Sequence, residues 1–200
     1  RIKNTFFNDL TTLNEQITGN ESDQDTSIFT QLNTRGNWTK KMNQINYQIG
    51  YDFNHQSSIG KRIENNSTPL LDMALFLSSE LYFKGFVFRP ALRFTYNNKY
   101  DAPIIPSLNL KYVLENTTFR ASYSRGFRAP SLKELYFNFV DINHNIVGNT
   151  NLIAEKSDNY IADLQWIQNN ELAKIKIDGG LFFNDIKNMI TLAISETNNQ

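Results

Sequence analysis

Two imidazoles and one knot of aromatic and polar side chains are the groups in this sequence with the most chemical capacity. His55 and His144 are its two histidines, and a neutral imidazole can ligate a metal or pass a proton near neutral pH. Around His144 stand Tyr136, Phe137, Asn138, Phe139, Asp141 and Asn143. Such a mixture can hold a flat or glycan-like ligand, or it can anchor a loop on the surface beneath, and the residues alone leave both readings open. Arg128, Tyr136, Phe137, Phe139, Asp141 and His144 form the candidate ligand-binding set.

Other chemistries lack their residues. Asn20 to Asp25 offers side-chain oxygens but neither the spacing nor the turn glycine of an EF-hand loop, so it reads as a solvated loop with no metal. There is no phosphate-cradling glycine loop, no Gly-x-Ser-x-Gly elbow and no His-Glu-x-x-His pair. Glu134 and Asp141 have no sequence-level reason to share a site. The absence of cysteine removes thiolate metal sites, cysteine nucleophiles and disulfides together. The sequence therefore reads as a binding protein, not an enzyme, with no resident cofactor.

Lys plus Arg and Asp plus Glu balance at 20 each, so no net field draws the chain to nucleic acid. Mean hydropathy is −0.46, and no stretch is apolar for the length that a membrane-crossing helix needs. That test does not reach a strand that is apolar on one side only.

The elements that must position the candidate residues follow from period-2 patterning. Ile45, Tyr47, Ile49, Tyr51 and Phe53 alternate with Asn46, Gln48, Asp52 and Asn54, and Phe86, Phe88, Leu92, Phe94 and Tyr96 with Val87, Arg89, Arg93, Thr95 and Asn97. One face is apolar and the other wet. Further runs cover 71–83, 104–114, 118–124, 159–168, 172–184 and 188–194, with weaker ones at 27–35 and 2–10. The total is roughly nine or ten strands of about the length that a tilted spanning strand requires. Short connections near Lys84, Asn116 and Asn169 alternate with long ones over 56–69 and 125–157, the two-sided rule of an outer-membrane barrel with long loops outside. Arg89 and Arg93 on the polar face need water or partners, which a hydrated lumen supplies. A soluble sandwich would share the alternation but expects shorter strands and faces that pack on each other.

One stretch is more specific. Phe119-Arg-Ala-Ser-Tyr-Ser-Arg-Gly-Phe-Arg-Ala-Pro-Ser-Leu-Lys-Glu-Leu-Tyr-Phe137 resembles the signature of TonB-dependent outer-membrane receptors, with Phe127-Arg128-Ala129-Pro130 matching the FRAP box. Gly148-Asn149-Thr150-Asn151-Leu152 and Glu155-Lys156-Ser157 are similar to the downstream "GNPxLxPEKS" element, with Thr150 and Ala154 where proline is frequent. The paired segments beginning at Pro90 and Pro106 extend the resemblance over at least 71–188.

The resemblance implies an all-β fold, an antiparallel up-and-down transmembrane β-barrel of about 22 strands, of which residues 1–200 supply part of a single barrel domain. Plug domain and C-terminal strands are expected to lie outside this stretch. It further implies energy-dependent uptake, across the bacterial outer membrane, of a scarce nutrient: iron-siderophore, haem, cobalamin or glycan. The implied partners are outer-membrane lipid, the nutrient, the TonB inner-membrane complex reached through the N-terminal region, and a surface lipoprotein. In haem receptors of the family a histidine in the interval occupied by His144 ligates haem iron. A passive porin or an adhesion barrel would share the strands but not the FRAP-like box.

Overall fold

A computed structural model describes residues 2–12, 24–60, 63, 69–140, 145–169 and 173–192. In chain order the elements are β1 (Ile2–Thr12), β2 (Gln24–Lys41), β3 (Ile45–Gly60), β4 (Leu70–Phe83), β5 (Phe86–Asn97), β6 (Ile105–Leu114), β7 (Thr117–Arg128), α1 (Leu132–Tyr136), β8 (Asn138–Val140), β9 (Asn145–Val147), β10 (Glu155–Asn169) and β11 (Lys174–Lys187). Nine of the strands form one antiparallel meander in the order β1-β2-β3-β4-β5-β6-β7-β10-β11, and β8 pairs with β9 as a separate hairpin.

Turn chemistry sets the registers along one edge. Lys84 and Gly85 both have positive φ (42° and 84°), the geometry of a two-residue hairpin turn whose twist matches the strands it joins. Glu115 (φ 46°) opens the next short turn. At the opposite edge β7 and β10 are joined through a 26-residue segment, 129–154, that contains α1 and the hairpin.

Alternation puts two unlike surfaces on the sheet. One carries Ile49, Leu75, Leu92, Phe94, Leu110 and Leu181 in the open; Leu75 is 64% exposed. No second sheet covers this band among the described residues, the outcome that separates a membrane-facing wall from a sandwich. The other face is concave and polar, lined by Gln31, Asn54, Asp52, Asp72, Arg93, Ser122 and Asp163.

The strands are longer than the patterning implies. β2 runs 18 residues and β3 16, and His55 lies within β3. β7 and β10 reach Arg128 and Glu155, leaving a shorter connection than 125–157. The run expected at 188–194 does not form a strand at Asn188–Leu192, while Ala193 and Ile194 lie outside the described residues. Asn188 has φ 56°, which breaks the extended backbone. The Ile190 N–H donates to the Glu155 carboxylate at 2.6 Å instead of to a ladder. The acidic and amide run Asn20–Asp25 falls mostly outside the described residues, and only its end enters β2.

Candidate functional site

At the outer end of β7, Arg128 closes a junction between three elements. Pro130 has no N–H to donate, so the β7 ladder stops before it. Ser131 then caps α1. Its hydroxyl accepts from the Glu134 N–H at 3.3 Å, and the Glu134 carboxylate accepts from the Ser131 N–H at 2.7 Å, a reciprocal capping box. The Arg128 guanidinium spans the gap, donating from Nε to Glu155 at 2.5 Å and from Nη1 to both Glu134 oxygens at 3.1 and 3.0 Å. Partial burial opposes ionisation of Glu134, but the two Ser131 donors and Arg128 outweigh it and hold the carboxyl below the usual carboxylate range.

Helix spacing buries Leu132, Leu135 and Tyr136 on one side of α1. They pack with Ile63 and Leu70, and with the partly buried Phe29 and Leu152, as a small apolar core on the concave face. Leu135 is fully buried. Phe137 meets Phe29 edge-on at 6.3 Å between centroids and bridges to Ile63. The returning chain is tied down by Gly148 N–H to Phe137 O and Asn149 N–H to Glu134 O, both 2.9 Å. Gly148 is required by this approach, because a Cβ there would lie 2.8 Å from the Leu135 carbonyl. From the β5–β6 connection Lys99 Nζ donates to the Tyr136 hydroxyl at 2.8 Å and sits 4.8 Å from its ring. Burial next to Tyr136 and Glu134 pushes the Tyr100 phenol up, keeping it neutral.

Below the segment, the concave wall carries a charged cluster. Asp52 of β3 accepts from Arg35 of β2 and from Arg93 of β5. Asp72 accepts from Asn97 at 2.5 Å, and Asn54 from Gln31 at 2.7 Å. A cavity of about 300 Å³ opens among Arg35, Asp52, Asp72, Arg93, Thr95 and Arg128. Its three guanidiniums carry planar donor forks suited to oxygen-rich anions, and their paired carboxylates fix them in place.

The candidate set from the sequence thus divides. Arg128, Tyr136 and Phe137 lie together at the mouth, where they hold segment 129–154 to the wall. Phe139 is placed in the β8–β9 hairpin by its backbone. Asp141 and His144 lie outside the described residues. Among the described residues no group of three His, Cys, Asp or Glu could hold a metal ion. Sequence reasoning missed Arg35 and Asp52 as members of a site. Their signal was that both belong to polar faces of alternating strands, but nothing local says that they meet.

Comparisons with known proteins agree with this architecture. The siderophore receptor PirA of Pseudomonas aeruginosa superposes with a TM-score of 0.66 at 22% identity, over 84% of this chain and 33% of that one. The ferric enterobactin receptor PfeA of the same organism, solved with enterobactin, gives 0.64 at 18% identity over 89% and 30%. The hemophore receptor HasR of Serratia marcescens, solved with its hemophore HasA and haem, gives 0.57 at 13% identity over 85% and 34%. The chain spans about a third of the length of each. No curated protein sequence matches it. The profile described as "TonB dependent receptor-like, beta-barrel" matches residues 2–200, the whole described sheet included, and the chain belongs to that family.

Proposed function

We propose that this chain is the ligand-receiving wall of an outer-membrane receptor that takes up a scarce nutrient at the expense of inner-membrane energy. The observation that carries the reading is α1, which follows the FRAP box and packs on the concave face of the wall that bears Arg35, Arg93 and Arg128. The family is one of TonB-dependent receptors, which favours energy-dependent uptake over passive passage.

In this reading the whole protein has a single barrel domain around a plug, and the inner-membrane TonB complex acts on the N-terminal region. Arg128, Tyr136 and Phe137 hold α1 to the wall, while Phe139, Asp141 and His144 are the residues assigned to ligand contact. An iron-siderophore is favoured over cobalamin or a glycan. A ferric catecholate or carboxylate complex is oxygen-rich and anionic, and arginine forks suit such a surface. The solved receptors PirA and PfeA support this choice. Haem, with His144 on the iron, is the second reading, supported by HasR.

The test is titration of the full-length receptor in detergent with a ferric catecholate siderophore, followed by fluorescence quenching, and with haem, followed by the Soret band. Siderophore binding weakened by Arg93→Ala and indifferent to His144→Ala supports the first reading. Haem binding lost in His144→Ala supports the second. No saturable binding of either ligand overturns the assignment to iron.

A further inference from the structure

Glu155, the first residue of β10, accepts from two donors that belong to different connections at the outer end of the sheet. Its Oε2 takes the Arg128 Nε–H at 2.5 Å, and its Oε1 takes the Ile190 N–H at 2.6 Å. The two oxygens of one carboxylate turn together, so a change at either bond is a change at both. Arg128 in turn donates to both oxygens of Glu134 in α1, and Ile190 lies in the chain that leaves β11. A continuous run of charge-assisted hydrogen bonds therefore links α1, through Arg128 and Glu155, to Ile190.

The chain leaving β11 is shaped to meet that carboxylate. Asn188 takes φ 56°, a left-handed conformation that asparagine tolerates better than most residues, and the backbone turns out of the ladder there. The Asn188 Nδ2 donates to the Ala154 carbonyl at 3.4 Å, so residues 188–190 rest against residues 154 and 155. Ile190 itself belongs to no strand, which leaves the Glu155 carboxylate as the group that fixes its amide.

On its other flanks α1 meets two more connections at the same end of the sheet. Ile63, between β3 and β4, packs in its apolar core, and Lys99, between β5 and β6, donates to the Tyr136 hydroxyl.

We propose that α1 is the keystone of these outer connections, and that Glu155 is the positioning residue that joins the chain beyond β11 to it. Arg128 also lines the cavity on the concave wall. An occupant that draws its guanidinium away from Glu155 thus releases Ile190 together with Glu134, and occupancy of the cavity reaches a connection that does not line it. The coupling does not depend on which nutrient is bound, so failure of the ligand titrations leaves it standing.

The test is hydrogen-exchange mass spectrometry of the full-length receptor in detergent, with protection taken relative to the intrinsic rate at each amide. Arg128→Ala is expected to lower protection of the Ile190 amide by roughly threefold to fivefold, the scale of a part-exposed ion pair, although its own bonds go to Glu134 and Glu155. Coupling is reciprocal, so Glu155→Ala lowers protection at Leu135 in α1 by a similar factor. The double variant loses no more at Ile190 than Glu155→Ala alone, because both substitutions break the same link. Arg128→Lys recovers part of the protection at both amides. Unchanged protection at Ala162 and Leu164 within β10 verifies that the wall is folded. Glu155→Gln, which keeps an acceptor for the Ile190 N–H but not the charge that holds Arg128, replaces Glu155→Ala if that variant does not fold. Wild-type protection at Ile190 in Arg128→Ala, or losses that add in the double variant, overturns the proposal.

Discussion

Arg128 meets two carboxylates from opposite directions, and that geometry decides what its loss does. Its side chain is part-exposed, so each pair is screened and the junction contributes on the order of 1 kcal/mol. Arg128→Ala is expected to free segment 129–154 without unfolding the wall. Proteolysis within the segment accelerates several-fold, while the heat-modifiable gel shift of the barrel is kept. Arg128→Lys restores less than half of the protection, because a point charge cannot fork between Glu134 and Glu155.

Glu134 supplies a pH dependence with a definite sign. Its folded value lies below the ordinary carboxylate range of about 4, so its contribution is complete above that range and disappears as pH falls through the folded value. Hydrogen-exchange protection of the Glu134 and Leu135 amides, taken relative to the intrinsic rate at each pH, should therefore be high at neutral pH and fall in acid. Glu134→Gln should show faster exchange at neutral pH and no acid step. An identical acid step in that variant would assign the titration to another group.

Among the elements, α1 shows how a signal can be present and yet go unused. Ser131-Leu-Lys-Glu134 is a capping-box sequence followed by apolar residues at helical spacing, legible without any structure. In an all-β pattern a single helical turn has no period to announce it. The strands show the converse. Their existence followed from alternation, but their ends did not, because β2 and β3 continue past the apolar band into polar sequence that only ladder pairing keeps extended. Gly50 marks a place where the pairing is tight. A Cβ there would meet the Phe76 ring and lie 2.7 Å from the Gly36 carbonyl. Gly50→Val is expected to cost about 1–3 kcal/mol, the usual range for overpacking, read as a lower unfolding midpoint in urea with liposomes. An unchanged midpoint would show that the ring moves freely aside.

For the whole molecule, the sheet is a partition between lipid and a polar lumen, and successive residues of one strand test it. Ala121 faces outward and Ser122 faces the concave side with Arg120 and Asp163. Ala121→Arg is expected to destabilise the inserted barrel by about 2–4 kcal/mol, and Ser122→Arg by less than about 1 kcal/mol. Reversible unfolding of the full-length receptor into lipid vesicles measures both. Similar costs on the two faces would contradict the membrane placement of this wall.

Alternating apolar residues, two-residue turns and the stretch from Phe119 to Phe137 determined, from the sequence by itself, the strand class, the antiparallel order and the family. Those properties depend on contacts between chain neighbours or on a local signature. Tertiary structure alone decided that Asp52 lies between Arg35 and Arg93, 17 and 41 residues away. It also decided that Tyr136 and Phe137 anchor a core with Phe29 and Ile63, and that Lys156 faces Lys187. In each case the partners lie on different strands and meet only because a particular register and a particular curvature of the sheet bring them there. A one-residue slip would send every one of those side chains to the opposite face.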